Sequence, residues 1–350
     1  MRVEKIFILL FGIFVFLNLK CFGQDYPEVE DLKAIKLEKQ GIYNYKLEMG
    51  TNTFGFPIYI PVIIIQGKTK GPTLGLVAGI HGDELNGISI VHKLVEQIDV
   101  YQLKGRIIAI PGINAYAIHQ DQRLFIENYD LNRLFPGEKY GNQSQQFVYK
   151  ITHNILPLFD FLIDMHTASF GRANSMYVRA DLENDTLRAL AFLQQADIIL
   201  DTKVASVGEI SSRSATLRAT ASLMGISSIT VEYGNPFVYQ KEINERGVKG
   251  ILNSLGWLGM YGKFTFPKVK NQIICQSSFW IYTVEGGFLE VLVELKDYLK
   301  KGDKIAQVRN AFGKVIGEYF APEDGIVISK STDPTNMNGG RVIQLGIIDK

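Results

Sequence analysis

His81 and Glu84 stand three residues apart in Gly79-Ile80-His81-Gly82-Asp83-Glu84, and one turn of helical pitch brings side chains at that spacing to the same side. An imidazole and a carboxylate so placed can hold one divalent metal, and zinc accepts both. The same residues also suit a capped helix start with a solvated glutamate. His166 follows the apolar run Phe161-Leu162-Ile163-Asp164-Met165. Positions 164 and 166 of a strand point the same way, so Asp164 can orient the His166 ring. A plain polar strand end is the other reading. Glu232 closes a third apolar run, Ile229-Thr230-Val231. A catalytic zinc wants three protein ligands and one open position, and His81, Glu84 and His166 supply the three. Such a zinc acidifies a water and polarises a carbonyl. A separate carboxylate must then take the water's proton and pass it to a leaving amine, and Glu232 is the candidate.

Residues 111–143 form a long polar connection, and loops of that length inside compact domains are often functional. It contains Asp130-Leu131-Asn132-Arg133-Leu134-Phe135-Pro136-Gly137. Asn132 and Arg133 put an amide beside a guanidinium, a pair suited to gripping a substrate carboxylate. Arg123, upstream in the same loop, suits a developing oxyanion. A surface salt bridge is the alternative for either arginine.

These residues need strand ends to hold them. Leu74–Ala78 reads as a buried strand running into the Gly79 turn, and the apolar spacing at 88, 91, 94 and 95 predicts a helix over about 84–98. Strands are also predicted at 57–66, 106–110, 161–165, 175–179, 197–201 and 229–232, and helices at 144–159, 185–195 and 214–224. Pro61 marks the 57–66 segment as an edge strand or as two abutting strands. Residues 24–57 read as a polar lead-in along the surface. Strands alternating with helices predict an α/β sheet covered on both faces, with its ligand site at the strand ends. After about residue 264 short β-rich runs take over. The expected organisation is therefore a catalytic domain over 24–264 and a small C-terminal β-domain over 265–350.

The first 23 residues have a different character. Arg2 and Lys5 precede an unbroken apolar run from Ile6 to Leu17, and Cys21-Phe22-Gly23 supplies small residues at the −3 and −1 positions of a cut. This is the layout of a secretory signal peptide removed after Gly23, with an uncleaved anchor as the alternative. Removal leaves Cys275 alone, so no intrachain disulfide can form, which suits a bacterial periplasm or the extracellular medium. A formal net charge of +1 with no basic block argues against nucleic acid as a partner. The expected partner is a small-molecule substrate, with no stable membrane partner once the signal is removed. There is no Gly-x-Ser-x-Gly elbow for serine catalysis and no phosphate-binding loop.

Taken together, His81-Gly82-Asp83-Glu84, Asp130 to Gly137, Asp164-Met165-His166-Thr167 and Val231-Glu232 resemble, in order and spacing, the succinylglutamate desuccinylase/aspartoacylase family, a relative of the zinc carboxypeptidases. The resemblance extends over about 60–340, through Glu285-Gly286-Gly287 and Ala321-Pro322-Glu323-Asp324-Gly325. It implies a carboxypeptidase-like mixed central sheet with helices on both faces plus a C-terminal β-domain. It also implies one zinc per chain on His81, Glu84 and His166, with Glu232 as general base. Asn132 and Arg133 fall on the substrate carboxylate and Arg123 on the scissile carbonyl. Arg172 and Arg218 resemble positions of the subgroup acting on N-acetyl-diaminobutyrate and are left outside the assigned site. The activity implied is hydrolysis of a small carboxylated N-acyl amino acid. The signal peptide departs from the cytoplasmic members, which keeps two other readings open: a zinc carboxypeptidase or amidase trimming cell-wall peptides, and a non-catalytic carboxylate-binding protein.

Overall fold

The computed structural model describes residues 25–203, 215–267 and 272–348. The expected signal peptide lies outside the described residues. A fourteen-stranded mixed sheet runs through the molecule. At its centre Lys104–Pro111, Thr69–Ala78, Phe161–His166 and Ser227–Tyr233 lie side by side in parallel. Met176–Ala180 then pairs antiparallel with Ser227–Tyr233. These strands carry apolar residues on both faces because both faces are covered. Along Lys104–Pro111 the alternation is plain: Ile107 and Ala109 enter one core, Ile108 and Ile110 the other. Helices Asn86–Gln97, Asp185–Leu193 and Lys241–Trp257 bury their apolar stripes in the first core, and Gln143–Lys150 and Leu217–Leu223 in the second.

Beyond Met176–Ala180 the sheet continues through Ile198–Asp201 to strands from the C-terminal part of the chain, Ile273–Tyr282, Arg341–Ile348 and Gly325–Ser331. Four further strands, Val315–Phe320, Lys304–Arg309, Gly287–Val291 and Thr335–Asn336, make a separate sheet. The junction matters for the site, since it brings C-terminal residues to the ends of the central strands.

Three expectations need correction. The supposed polar lead-in contains a long strand, Gly41–Thr51, paired along its whole length with Pro57–Gln66. Only Leu47 and Met49 are buried in it, so its pattern reads polar. Pro57–Gln66 is one continuous strand with neighbours on both sides. Pro61 is tolerated because pairing with Lys104–Pro111 covers only Ile63–Gln66, leaving the proline beyond the shared ladder. The 144–159 helix is regular only over Gln143–Lys150, then widens across Ile151–Ile155 and tightens over Leu156–Leu158. Pro157 has no N–H to continue the regular ladder.

Candidate metal centre and active site

Every metal-type residue sits where a parallel strand ends. Thr69–Ala78 runs into a turn that needs two glycines. Gly79 has φ +69°, and a Cβ on Gly82 would lie 2.2 Å from the Ala117 backbone carbon. That turn projects His81 and Glu84. His166 is the last residue of Phe161–His166, and Glu232 lies directly opposite it in the register of the neighbouring strand.

His81, Glu84 and His166 are 3%, 2% and 5% exposed, so buried that these polar groups must find partners. Their donor atoms all lie within 4.8 Å of one another, the one such group among the described residues. Glu84 is central: Oε2 is 2.8 Å from His166 Nδ1 and Oε1 is 2.8 Å from His81 Nδ1. On the far side of each ring stands an aspartate. His81 Nε2 is 3.1 Å from Asp130 Oδ1, and His166 Nε2 is 3.1 Å from Asp164 Oδ1. Asp130 hydrogen-bonds His81 Nε2 and so orients that ring with Nδ1 toward Glu84, while His166 meets Glu84 through an Nδ1 hydrogen bond and has Asp164 within ion-pairing range of Nε2. His81 Nδ1 is fully buried and makes no hydrogen bond, although a carboxylate oxygen is in contact with it. Two imidazoles around one buried carboxylate, with their ligand-type atoms this close, make a donor set that fits a divalent metal.

In the protein alone the imidazoles and carboxylates pair as opposite charges. Burial by itself would raise the Glu84 carboxyl, but His81 and His166 outweigh it and hold it well below the ordinary value. Burial would lower His166, yet Asp164 and Glu84 hold it well above the ordinary imidazole value. Asp130 is likewise held low by His81 and Arg123 against its burial. Glu232 goes the other way: burial lifts its carboxyl above the ordinary glutamate value, with His166 and Arg179 opposing.

Of the other expected residues, Arg123 is in the site. Its Nη1 donates to Glu84 Oε1 (2.8 Å) and to Ser169 Oγ, and its Nη2 donates to Asp130 Oδ2 (2.9 Å). Asn132 is buried, and its side-chain carbonyl accepts from Leu217 N at 2.7 Å. Arg133 is more exposed and braces itself on the Asn132 carbonyl at 2.7 Å. All seven assigned residues line one cavity of about 320 Å³.

The sequence reading missed the groups that frame Glu232. Asn174 Nδ2 donates to Glu232 Oε2 at 3.0 Å, and Arg179 Nε lies 3.9 Å from Oε1 while its Nη2 donates to the buried Tyr177 hydroxyl at 2.7 Å. Asn174 thus positions the carboxylate and favours its ionised form. Asn174→Ala is expected to lower kcat about tenfold, the effect of one hydrogen bond to a charged group. It should also move the acid limb of the pH profile upward. An unchanged limb would leave Asn174 with a packing role only.

Four similarities to known proteins bear on this site. The family model described as the succinylglutamate desuccinylase/aspartoacylase catalytic domain matches residues 70–258. N-alpha-acetyl-L-2,4-diaminobutyric acid deacetylase of Halomonas elongata is 27% identical over 311 residues, covering 82% of this chain and 84% of its own. The succinylglutamate desuccinylase/aspartoacylase crystal structure from Rhodobacter sphaeroides superposes with a TM-score of 0.80 at 22% identity, over 92% of this chain and all of that one. The product-bound ectoine utilization protein EutE (DoeB) of Ruegeria pomeroyi superposes at 0.79 and 24% identity, over 93% and 99%. At those identities the two structures speak for the fold.

Proposed function

Given that this chain belongs to the succinylglutamate desuccinylase/aspartoacylase family, we propose that it is a zinc-dependent deacylase that hydrolyses the amide bond of a small carboxylated N-acyl amino acid. The observation that carries this reading is the pairing of a buried His81–Glu84–His166 donor set with a separate, partly buried carboxylate, Glu232, one strand away. His81, Glu84 and His166 would hold the metal, which when bound supplies Lewis acidity toward a water and an acyl carbonyl.

The chain's own residues do the rest. Glu232, lifted by burial and held by Asn174, accepts the proton of the attacking water and delivers it to the departing nitrogen. Arg123 stands beside the donor set and offsets negative charge developing on the carbonyl oxygen. Asn132 and Arg133 hold the substrate carboxylate and fix which bond faces Glu232. The deacetylase of Halomonas elongata acts, by its name, on an acylated amino acid, which fits this substrate class.

The test is a panel of N-acetyl and N-succinyl amino acids, with short peptides, offered to the zinc-loaded protein. Equimolar release of acid and free amine from at least one acylated amino acid is expected. Cleavage confined to peptides would make the protein a carboxypeptidase. Tight carboxylate binding with no cleavage of any compound would make it a binding protein.

A further inference from the structure

A second cavity, of about 720 Å³, lies beside the site and shares Arg123 with it. Leu124, Phe170 and Phe237 give it an apolar wall. The two phenylalanines are 72% and 41% exposed, and their rings stand edge to face with centroids 6.4 Å apart. One exposed aromatic ring is ordinary on a protein surface. Two rings stacked in solvent at the border of a cavity are not, because both keep apolar area in water that a ligand would remove.

Their backbones are pinned from the catalytic side. Asp83, the residue before Glu84, accepts from Phe170 N through Oδ2 at 2.8 Å, and its carbonyl accepts from Phe237 N at 3.2 Å. The turn that projects His81 and Glu84 therefore also sets both phenylalanine backbones. Phe237 adopts a φ of +54°, a left-handed conformation that a bulky side chain rarely takes. Asp121 and Asn128 border the same cavity with left-handed backbones too, but short polar side chains tolerate that region. Strain of the Phe237 kind persists only where the surroundings impose it, and it collects at ligand clamps.

The placement of the other groups says which part of a substrate reaches there. With the substrate carboxylate on Asn132 and Arg133 and the acyl carbonyl at Arg123, the chain attached to the carbonyl carbon leaves on the Arg123 side. Arg123 is the residue common to both cavities. Charge narrows the class further. Asp83 and Asp121 border the second cavity, and Arg123, the cation at its border among the described residues, is already paired with Glu84 and Asp130. A carboxylate at the end of the chain would meet acids there, whereas uncharged carbon would meet carbon.

We propose that this cavity is an acyl-chain subsite and takes an uncharged, apolar N-acyl group longer than acetyl. The inference rests on the deacylase reading and names its acyl group.

Two substrate series test it, N-acylalanines and N-acylglutamates carrying acetyl, butanoyl, hexanoyl or succinyl groups. A fully buried methylene is worth about fourfold in affinity and a half-covered one about twofold. From acetyl to hexanoyl, wild-type kcat/KM is therefore expected to rise by about 15- to 250-fold in the better-cleaved series. Butanoyl should exceed succinyl, which has the same number of carbons and a terminal charge. The Phe170→Ala/Phe237→Ala double variant should flatten the rise to about threefold or less, whereas Phe170→Leu, which keeps apolar surface, should retain most of it. Each ratio is taken within one protein, so a partly misfolded preparation does not change it. A wild type indifferent to chain length, or one that prefers succinyl to butanoyl, overturns the subsite, as does a double variant with an undiminished rise. A gain from N-acetylphenylalanine over N-acetylalanine, without a chain-length effect, would assign the rings to the amine side and overturn it too. So would a dimer that the double variant abolishes, again with no chain-length effect, since a second copy of the chain would then cover the rings. If the wild type cleaves none of the compounds, the deacylase reading fails separately. Calorimetric affinities for the hexanoyl and acetyl compounds then decide the subsite, and no gain for hexanoyl overturns it.

Discussion

Replacing Glu232 by glutamine is expected to lower kcat by roughly 100- to 10,000-fold, the usual contribution of a positioned acid-base group, with the metal still bound. Glutamine keeps the shape and the hydrogen bond from Asn174. Glu232 is not among the clustered donors, so metal content should not change. What disappears is the group that takes the water's proton. The wild-type profile should carry the same signature. Burial raises the Glu232 carboxyl, and a general base works only when deprotonated, so kcat/KM should fall as pH drops through a value above the ordinary glutamate range. Substrate affinity should be largely kept, because Asn132 and Arg133 are untouched. Near wild-type turnover by Glu232→Gln would remove this residue from the mechanism.

The sequence revealed what is local. Gly79 and Gly82 mark the end of a buried strand because the turn beyond it needs a positive φ and a close backbone approach, so the position of His81 and Glu84 was legible. His166 and Glu232 were legible for the same reason, as polar ends of short apolar runs. Helix Lys241–Trp257 was not identified, although it is seventeen residues long. Its glycines dilute the helical signal, and tertiary packing requires them: a Cβ on Gly247 would come within 2.5 Å of Ile90, and one on Gly250 within 2.7 Å of Gln194. Local propensity lost to close packing there. Asn174 and Arg179 were unreadable for another reason. They reach the site through pairings between distant stretches, such as Tyr177 with Glu232 and Arg172 with Ser331, which no local pattern encodes.

Loss of either imidazole should have the largest effect on composition. The zinc-loaded wild type should carry close to one metal per chain, and His81→Ala or His166→Ala should carry essentially none. Each substitution removes one of three donors, and the two left cannot meet the three-ligand requirement of a catalytic zinc. Asp164→Asn probes the group behind the ligand. It keeps the donor set but weakens the hold on His166 Nε2, and such outer contacts typically cost about 10- to 100-fold in metal affinity. The ordering to look for is wild type, then Asp164→Asn, then the two alanine variants. Thermal unfolding separates lost ligation from lost structure. A metal that binds only the folded chain stabilises it by mass action, so the wild-type midpoint should rise with metal concentration. The alanine variants should unfold cooperatively at a midpoint that metal does not move. A His81→Ala or His166→Ala protein with full occupancy and a metal-dependent midpoint would place the cation elsewhere.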